Sequence, residues 1–205
     1  MRKIRAVMAV LGVSAAIGGL AVAPAIASPS VDGASTTSTA SAEPEHTGMV
    51  KRITKGMTVV RFDREVAEAN GYEIVTRPDG TQASVKKGEL TTQGQSTLFG
   101  DCGSSFVELY KGGSGGAADF RTGFITYQVA IGFRWWVIVR DNNGTSNQND
   151  AGNPFSRSWD SGWKRLWLYP GGNAWATVIP DDSWALQSNG AICVSAGPGT
   201  VEWID

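Results

Sequence analysis

Tryptophan is concentrated in one part of this chain, where its rings could form a ligand-binding surface. All eight tryptophans lie between residues 135 and 203. In an extended strand, successive side chains point to opposite faces. Over residues 163–169 this alternation gives one face four aromatic or basic side chains: Trp163, Arg165, Trp167 and Tyr169. Flat aromatic rings stack on the apolar faces of sugars while polar neighbours bond the hydroxyls, so this face is a candidate carbohydrate platform.

A second strand-like run, residues 133–141, adds Trp136 to the candidate ligand-binding residues. Its core-type face holds Phe133, Trp135, Val137 and Val139. Its opposite face holds Arg134, Trp136, Ile138 and Arg140. The alternative interpretation is that these aromatic faces are covered by one another, by the rest of the chain, or by Arg side chains stacked on the rings.

The same region offers few groups for catalysis. The only histidine, His46, precedes it, so Ser-His-Asp sites, Cys-His sites and a histidine-ligated zinc site are not expected. Ten carboxylates lie between residues 101 and 205. A glycosidase needs two of them roughly 5–9 Å apart, a distance that sequence does not supply. A secreted carboxylate-dependent glycoside hydrolase is therefore an alternative function, and no catalytic residue is assigned.

A polar segment, residues 141–154, predicts a long loop. The part from Asp141 to Asp150 is rich in side chains whose oxygen atoms can bind calcium, so a calcium-binding loop is an alternative interpretation. Gly144 stands fourth in the segment, whereas an EF-hand loop requires glycine at the sixth position. Together with the glycine-rich segment 111–116, this loop could instead contact another protein. An extracellular protein-interaction or inhibitor module is therefore a third candidate function.

Short strand-like runs separated by Gly, Pro and Asn predict the fold of residues 96–205. The two runs 122–130 and 133–141 are expected to pair as a hairpin that turns near Ile131 and Gly132. Further strands are expected at 104–110, 163–169, 175–179, 184–187, 191–195 and 201–204. This pattern predicts an all-β domain, an antiparallel sandwich or barrel.

Residues 49–95 predict a small appendage made of a helix and a β-hairpin. Phe62, Val66 and Ala69 share one helical face, and Gly71 follows as a helix-terminating residue. The turn chemistry of residues 77–80 separates two strand-like runs. A helix and a hairpin are too small for a core of their own. The segment is expected to pack on the main domain, and the alternative is a removable pro-segment.

The only two cysteines, Cys102 and Cys193, are expected to form a disulfide in an exported chain. The loop closed by this bond would stabilise the fold by roughly 4–5 kcal/mol. The bond would tie the first part of the β-domain to its last part and leave residues 49–95 outside. Two separate buried thiols are the alternative.

The N-terminus predicts export. Arg2, Lys3 and Arg5 precede an apolar run that ends in a small-residue cleavage pattern, so residues 1–27 are interpreted as a signal peptide. An uncleaved membrane anchor is the alternative. Residues 28–48 are rich in Ser and Thr and predict a disordered linker. Cleavage would remove three of 18 basic residues and none of 19 acidic ones, which changes the net charge from −1 to −4.

These observations favour a secreted, non-catalytic binding module whose ligand is a glycan or another cell-surface group. The negative charge argues against a nucleic-acid partner, and no membrane association is expected after signal cleavage. The signal, the linker and the segment 62–73 (FDREVAEANGYE) resemble secreted proteins of actinobacteria. This resemblance covers about the first 90 residues, implies no functional family and carries over no site residues.

Overall fold

The computed structural model describes residues 51–88 and 102–205. The predicted signal peptide, the linker and the expected domain boundary near residue 96 lie outside these residues. Within them, no helix is long and apolar enough to cross a membrane.

The predicted all-β architecture is confirmed, with β-strands forming most of the described chain and one short helix. The elements are β1 (Lys51–Phe62), α1 (Arg64–Ala69), β2 (Tyr72–Thr76), β3 (Gln82–Lys86), β4 (Gly103–Lys111), β5 (Ala117–Arg140), β6 (Thr145–Gly152), β7 (Ser156–Asp160), β8 (Lys164–Trp167), β9 (Gly172–Val178), β10 (Trp184–Gln187), β11 (Ala191–Ser195) and β12 (Gly199–Ile204).

Five strands form a closed, antiparallel, barrel-like sheet. Their order is β10-β11-β1-β4-β5, and pairing of β10 with β5 closes the ring. Strand β9 pairs with the end of β5, and β12 pairs with β9. Both β9 and β12 also lie against β4. The interior is filled by apolar side chains from all of these strands, including Met57, Val107, Phe120, Trp135 and Ile204.

The expected hairpin between residues 122–130 and 133–141 is wrong, because these residues belong to one strand, β5, of 24 residues. Gly132 does not have the positive φ that a tight two-residue hairpin turn requires. Its backbone continues the ladder opposite Leu186. An irregularity between Ile125 and Ala130 accommodates the bend that lets one strand pair with both β4 and β10.

The expected polar loop at residues 141–154 is also wrong, because most of it forms β6. Residues Thr145–Gly152 pair antiparallel with β5, and β7 and β8 continue back along the same strand. In the described part of the chain, β6 pairs only with β5. An edge strand is held by backbone hydrogen bonds to a buried neighbour, so a polar sequence suits it.

The N-terminal segment is divided between the barrel and a small appendage. Residues 49–95 were expected to lie outside the β-domain, and for strand β1 this is wrong. Strand β1 lies within the main sheet, between β11 and β4. Phe62 belongs to β1 and Ala69 is exposed; the buried residue of the short helix is Ala67. The hairpin of β2 and β3 is confirmed, and Ser84 packs on the barrel by donating a hydrogen bond to the Asn189 carbonyl at 2.7 Å.

The expected disulfide is confirmed between Cys102 and Cys193, whose Cα atoms lie 6.2 Å apart. Both cysteines are fully buried. Cys193 is also the register partner of Val59 in β1. The disulfide therefore lies beside β1, although residues 49–95 were expected to lie outside the part of the chain that the disulfide encloses.

Candidate functional site

The structure divides the five predicted ligand-binding residues between two surfaces. Trp136 lies on the outer face of the sheet part formed by β6, the second half of β5, β9 and β12. Arg165 and Trp167 lie on the outer face of β8, with Trp163 just before that strand and Tyr169 just after it. We call the first surface the tryptophan face, defined by Trp136, Trp175, Val201 and Trp203. We call the second the β8 face, defined by Trp163, Arg165, Trp167 and Tyr169.

The strand register aligns the side chains of the tryptophan face across four strands. One row runs Thr145, Arg140, Trp175, Val201 from β6 to β12. In the ladder of β9 and β12, Trp203 lies opposite Asn173. Trp203 is thus a diagonal neighbour of Trp175, a separation that aromatic side chains can bridge. The register brings both rings onto one surface although they lie far apart in sequence.

The inner sides of β9 and β12 explain why these aromatic residues point outwards. Ala174, Ala176 and Val178 of β9 are fully buried, and Ile204 of β12 joins them in the core. Strand alternation then turns the intervening residues to solvent. Trp175 is 43% exposed and Trp203 is 53% exposed. Core packing sets the direction of these two rings without covering them.

Trp136 is half-buried and held in place by polar neighbours. Its Nε1 lies 3.4 Å from Oδ1 of Asn147, and the Arg134 guanidinium lies 5.7 Å from its ring centroid. The backbone N–H of Trp136 donates to Oγ of Ser183 at 3.0 Å. Trp136 therefore matches the alternative interpretation, in which an arginine lies against the ring. Its ring is less accessible to a ligand than the rings of Trp175 and Trp203.

The tryptophan face has a simple charge pattern. The register places two ionisable side chains on it, Arg134 and Arg140, and both are exposed. Among residues 51–88 and 102–205, neither forms an ion pair with a carboxylate. The remaining polar groups on this face are amides and hydroxyls, such as Asn147, Asn149 and Thr145. The face therefore offers uncommitted hydrogen-bond donors beside exposed rings.

The end of this face is ordered by Asp141, which begins the turn between β5 and β6. Its Oδ1 accepts from the N–H groups of Asn143 and Gly144 at 2.8 and 2.7 Å, and its Oδ2 accepts from Tyr169 N–H at 2.7 Å. Burial raises the pKa of Asp141, but these three donors outweigh it and hold the pKa below its ordinary value of 3.8. The segment from Asp141 to Asp150, considered above for calcium, is thus a turn followed by β6. The carboxylate of Asp141 accepts hydrogen bonds from backbone N–H groups.

The β8 face carries similar residues with its charges paired internally. Arg165 donates from Nε and Nη2 to the two carboxylate oxygens of Asp119, both at 2.7 Å, and Asp119 is almost fully buried. This pairing raises the pKa of Arg165. The Arg121 guanidinium lies 5.8 Å from the Trp163 ring, which is half-buried. Trp167, by contrast, is 74% exposed, and Tyr169 is also exposed.

Sequence reasoning missed Trp175, Val201 and Trp203. The signal was present in β9, where small and apolar residues alternate with polar and aromatic ones from Gly172 to Val178. The neighbouring rings could not be found from sequence, because only the pairing of β9 with β12 brings Trp175 next to Trp203.

Five of the ten carboxylates between residues 101 and 205 are bound to cations in the described part of the chain. Ion pairs join Glu108 to Arg52, Asp119 to Arg165, Asp150 to Lys164, Asp160 to Arg121 and Asp205 to Lys111. Burial raises the pKa of Asp160, but bonds from Arg121 and Gly162 N–H outweigh it and lower the pKa overall. A general acid requires the opposite shift. The described residues also contain no cluster of three or more His, Cys, Asp or Glu side chains suited to a metal ion.

Comparisons with known proteins assign the chain to no family. No protein-family model, curated protein or solved structure matches it.

Proposed function

We propose that this protein is an extracellular, non-catalytic binding module that holds a glycan on its tryptophan face. The observation that supports it is the register that sets Trp175 and Trp203 side by side, exposed, next to Arg140 and Asn173. A sugar ring has an apolar face and a polar rim. The tryptophan face offers rings for the first and hydrogen-bonding groups for the second.

Folding leaves apolar surface of Trp175 and Trp203 in contact with water. Covering an exposed indole ring contributes about 1–2 kcal/mol at roughly 25 cal/mol per Å² of apolar area. Two adjacent rings therefore support a weak to moderate affinity that multivalent contact with a polymer would increase. The sheet fixes the backbone positions of both tryptophans before the ligand arrives, which limits the ordering cost of binding.

An extracellular location fits this function and remains part of the proposal. The disulfide between Cys102 and Cys193 is of a kind that persists in oxidising compartments. The N-terminal residues carry the pattern of a secretory signal. Polysaccharides outside the cell are then the accessible glycans.

The test is depletion of the protein from solution by a panel of insoluble and soluble polysaccharides. The wild-type chain is compared with the double variant Trp175→Ala/Trp203→Ala and with Trp167→Ala, an exposed tryptophan on the β8 face. We expect the double variant to lose at least about tenfold in affinity, from the loss of both rings. We expect Trp167→Ala to bind as the wild type does.

Two results would change the proposal. Loss of binding in Trp167→Ala alone would move the site to the β8 face, as the sequence first indicated. Failure of every polysaccharide to deplete the wild-type protein would reject glycan binding.

A protein-interaction module is the second candidate function, and one observation favours it. Phe155 is 71% exposed and has a φ of 45°, a conformation that is uncommon for a bulky residue. Exposed Ile125 and Tyr127 lie on the bend of β5, near the strand that follows Phe155. Crosslinking of a photoreactive residue placed at position 155 would test it; a specific protein adduct supports the interaction, and none rejects it.

A further inference from the structure

The charge pattern of the tryptophan face indicates which class of glycan it binds. The inference rests on the proposed function and adds a ligand class to it. Arg134 and Arg140 are exposed and form no ion pair in the part of the chain that the structure describes. The register brings no carboxylate onto the same face. The nearest acids in sequence are Asp141, whose oxygens accept backbone N–H groups, Glu202, which lies opposite the buried Ala174 and points to the other side of β12, and Asp205, which pairs with Lys111. Asp181 and Asp182 lie in the turn before β10.

The two arginines are spaced along one strand with aromatic rings beside them. They lie six residues apart on the same side of β5, which corresponds to roughly 20 Å. Trp136 lies two residues after Arg134, and Trp175 is the cross-strand partner of Arg140. A linear chain crossing this face would therefore meet Arg134 and Trp136 first, and then Arg140 with Trp175 beside it. Trp203 is the next ring, on the diagonal of β9 and β12.

We propose that the ligand is a linear polysaccharide that carries carboxylate groups, that is, a uronic acid polymer. Its sugar rings would pack on Trp175 and Trp203, and its carboxylates would bind Arg134 and Arg140. The planar guanidinium matches a carboxylate with two parallel hydrogen bonds. On the β8 face the same donors of Arg165 are already occupied by Asp119. The attraction is local, because the formal net charge is −1 for the full chain and −4 after cleavage of the predicted signal peptide.

The experiment compares two forms of one polymer. Polygalacturonate carries the carboxylates, and its fully methyl-esterified form has the same backbone without the charges. We expect the full chain to bind polygalacturonate about three- to tenfold more tightly than the ester, since exposed charge pairs contribute modestly. Raising the salt concentration should remove this preference, because it screens exposed charges.

Variants separate the contribution of charge from that of the rings. Arg134→Gln/Arg140→Gln should bind polygalacturonate three- to tenfold more weakly and leave binding of the ester unchanged. Trp175→Ala/Trp203→Ala should weaken binding of both polymers. Arg157→Gln, which changes an exposed arginine on β7, is the matched control and should change neither.

The possible outcomes distinguish this inference from the function on which it rests. Equal binding of acid and ester, or no effect of the arginine variant, overturns the uronic acid class and leaves glycan binding intact. Failure of both polymers and of every other polysaccharide to bind overturns the proposed function itself. Polyglutamate binding as tightly as polygalacturonate would show that charge alone is recognised. Tighter binding of a single-stranded oligonucleotide would replace the sugar ligand, since nucleic acids also combine rings with anionic groups.

Discussion

The tryptophan face and the β8 face carry the same kinds of side chain, but their arginines differ in whether they form an ion pair. On the β8 face, Arg165 is fixed by a buried Asp119. On the tryptophan face, Arg134 and Arg140 have no acidic partner among the described residues. Arginine therefore contributes to folding on one surface and stays available on the other. Residue type alone does not distinguish the two surfaces; the partner of each charge does.

The largest expected effect concerns the stability of the β8 face. Asp119→Asn removes the carboxylate charge and replaces one acceptor oxygen with an NH2 donor, so Arg165 keeps at most one of its two hydrogen bonds. We expect a loss of about 2 kcal/mol in the free energy of unfolding, measured by urea denaturation. Arg140→Gln is the matched change on the tryptophan face and should stay within about 0.5 kcal/mol of the wild type. Equal losses in the two variants would contradict the distinction between the faces.

A smaller effect is expected at Asp141, which joins the two regions through its bond to Tyr169 N–H. The pKa of Asp141 is lowered in the folded state, so its contribution to stability is present above about pH 4 and is lost as the pH falls through the lowered pKa. Asp141→Asn should cost about 1 kcal/mol at neutral pH, since Asp141 is only partly buried. The difference from the wild type should shrink below pH 4. A difference that is independent of pH would rule out the charged carboxylate as its source.

The smallest effect is expected for Trp167, the most exposed of the aromatic residues on the β8 face. Because folding buries little of this ring, Trp167→Ala should change the free energy of unfolding by less than about 0.5 kcal/mol. Thermal unfolding of the variant and the wild type would measure it. A loss of 2 kcal/mol or more would mean that the ring is packed and that the β8 face is not an open surface.

Sequence patterns predicted the structure correctly where a feature depends on the type and spacing of a few residues. Alternation from Phe133 to Val139 predicted the buried side of β5, and all four core-type residues are buried. The ends of β10 and β11 match their predicted bounds. The disulfide followed from the count of cysteines and the export signal.

The remaining features depend on contacts between distant segments. The polar residues of β6 form a strand because β5 supplies the backbone partners. Residue Gly132 continues a strand because β10 pairs with it from another part of the chain. Trp175 and Trp203 form one surface only after β9 and β12 pair. Local sequence does not determine these pairings, so sequence alone could not bring Trp175 and Trp203 onto one surface.

The most direct test of the central claim is to follow the indole N–H signals of the tryptophans by NMR while oligogalacturonate or a neutral β-linked oligoglucoside is added. Single Trp→Phe variants assign the signals, and Trp135 is an internal reference because its Nε1 donates to Thr122 in the core. We predict that the Trp175 and Trp203 signals shift together in a saturable manner with at least one of the sugars, while those of Trp135 and Trp167 stay unchanged. A shift confined to Trp167, or no shift with either sugar, would contradict the tryptophan face as the binding site.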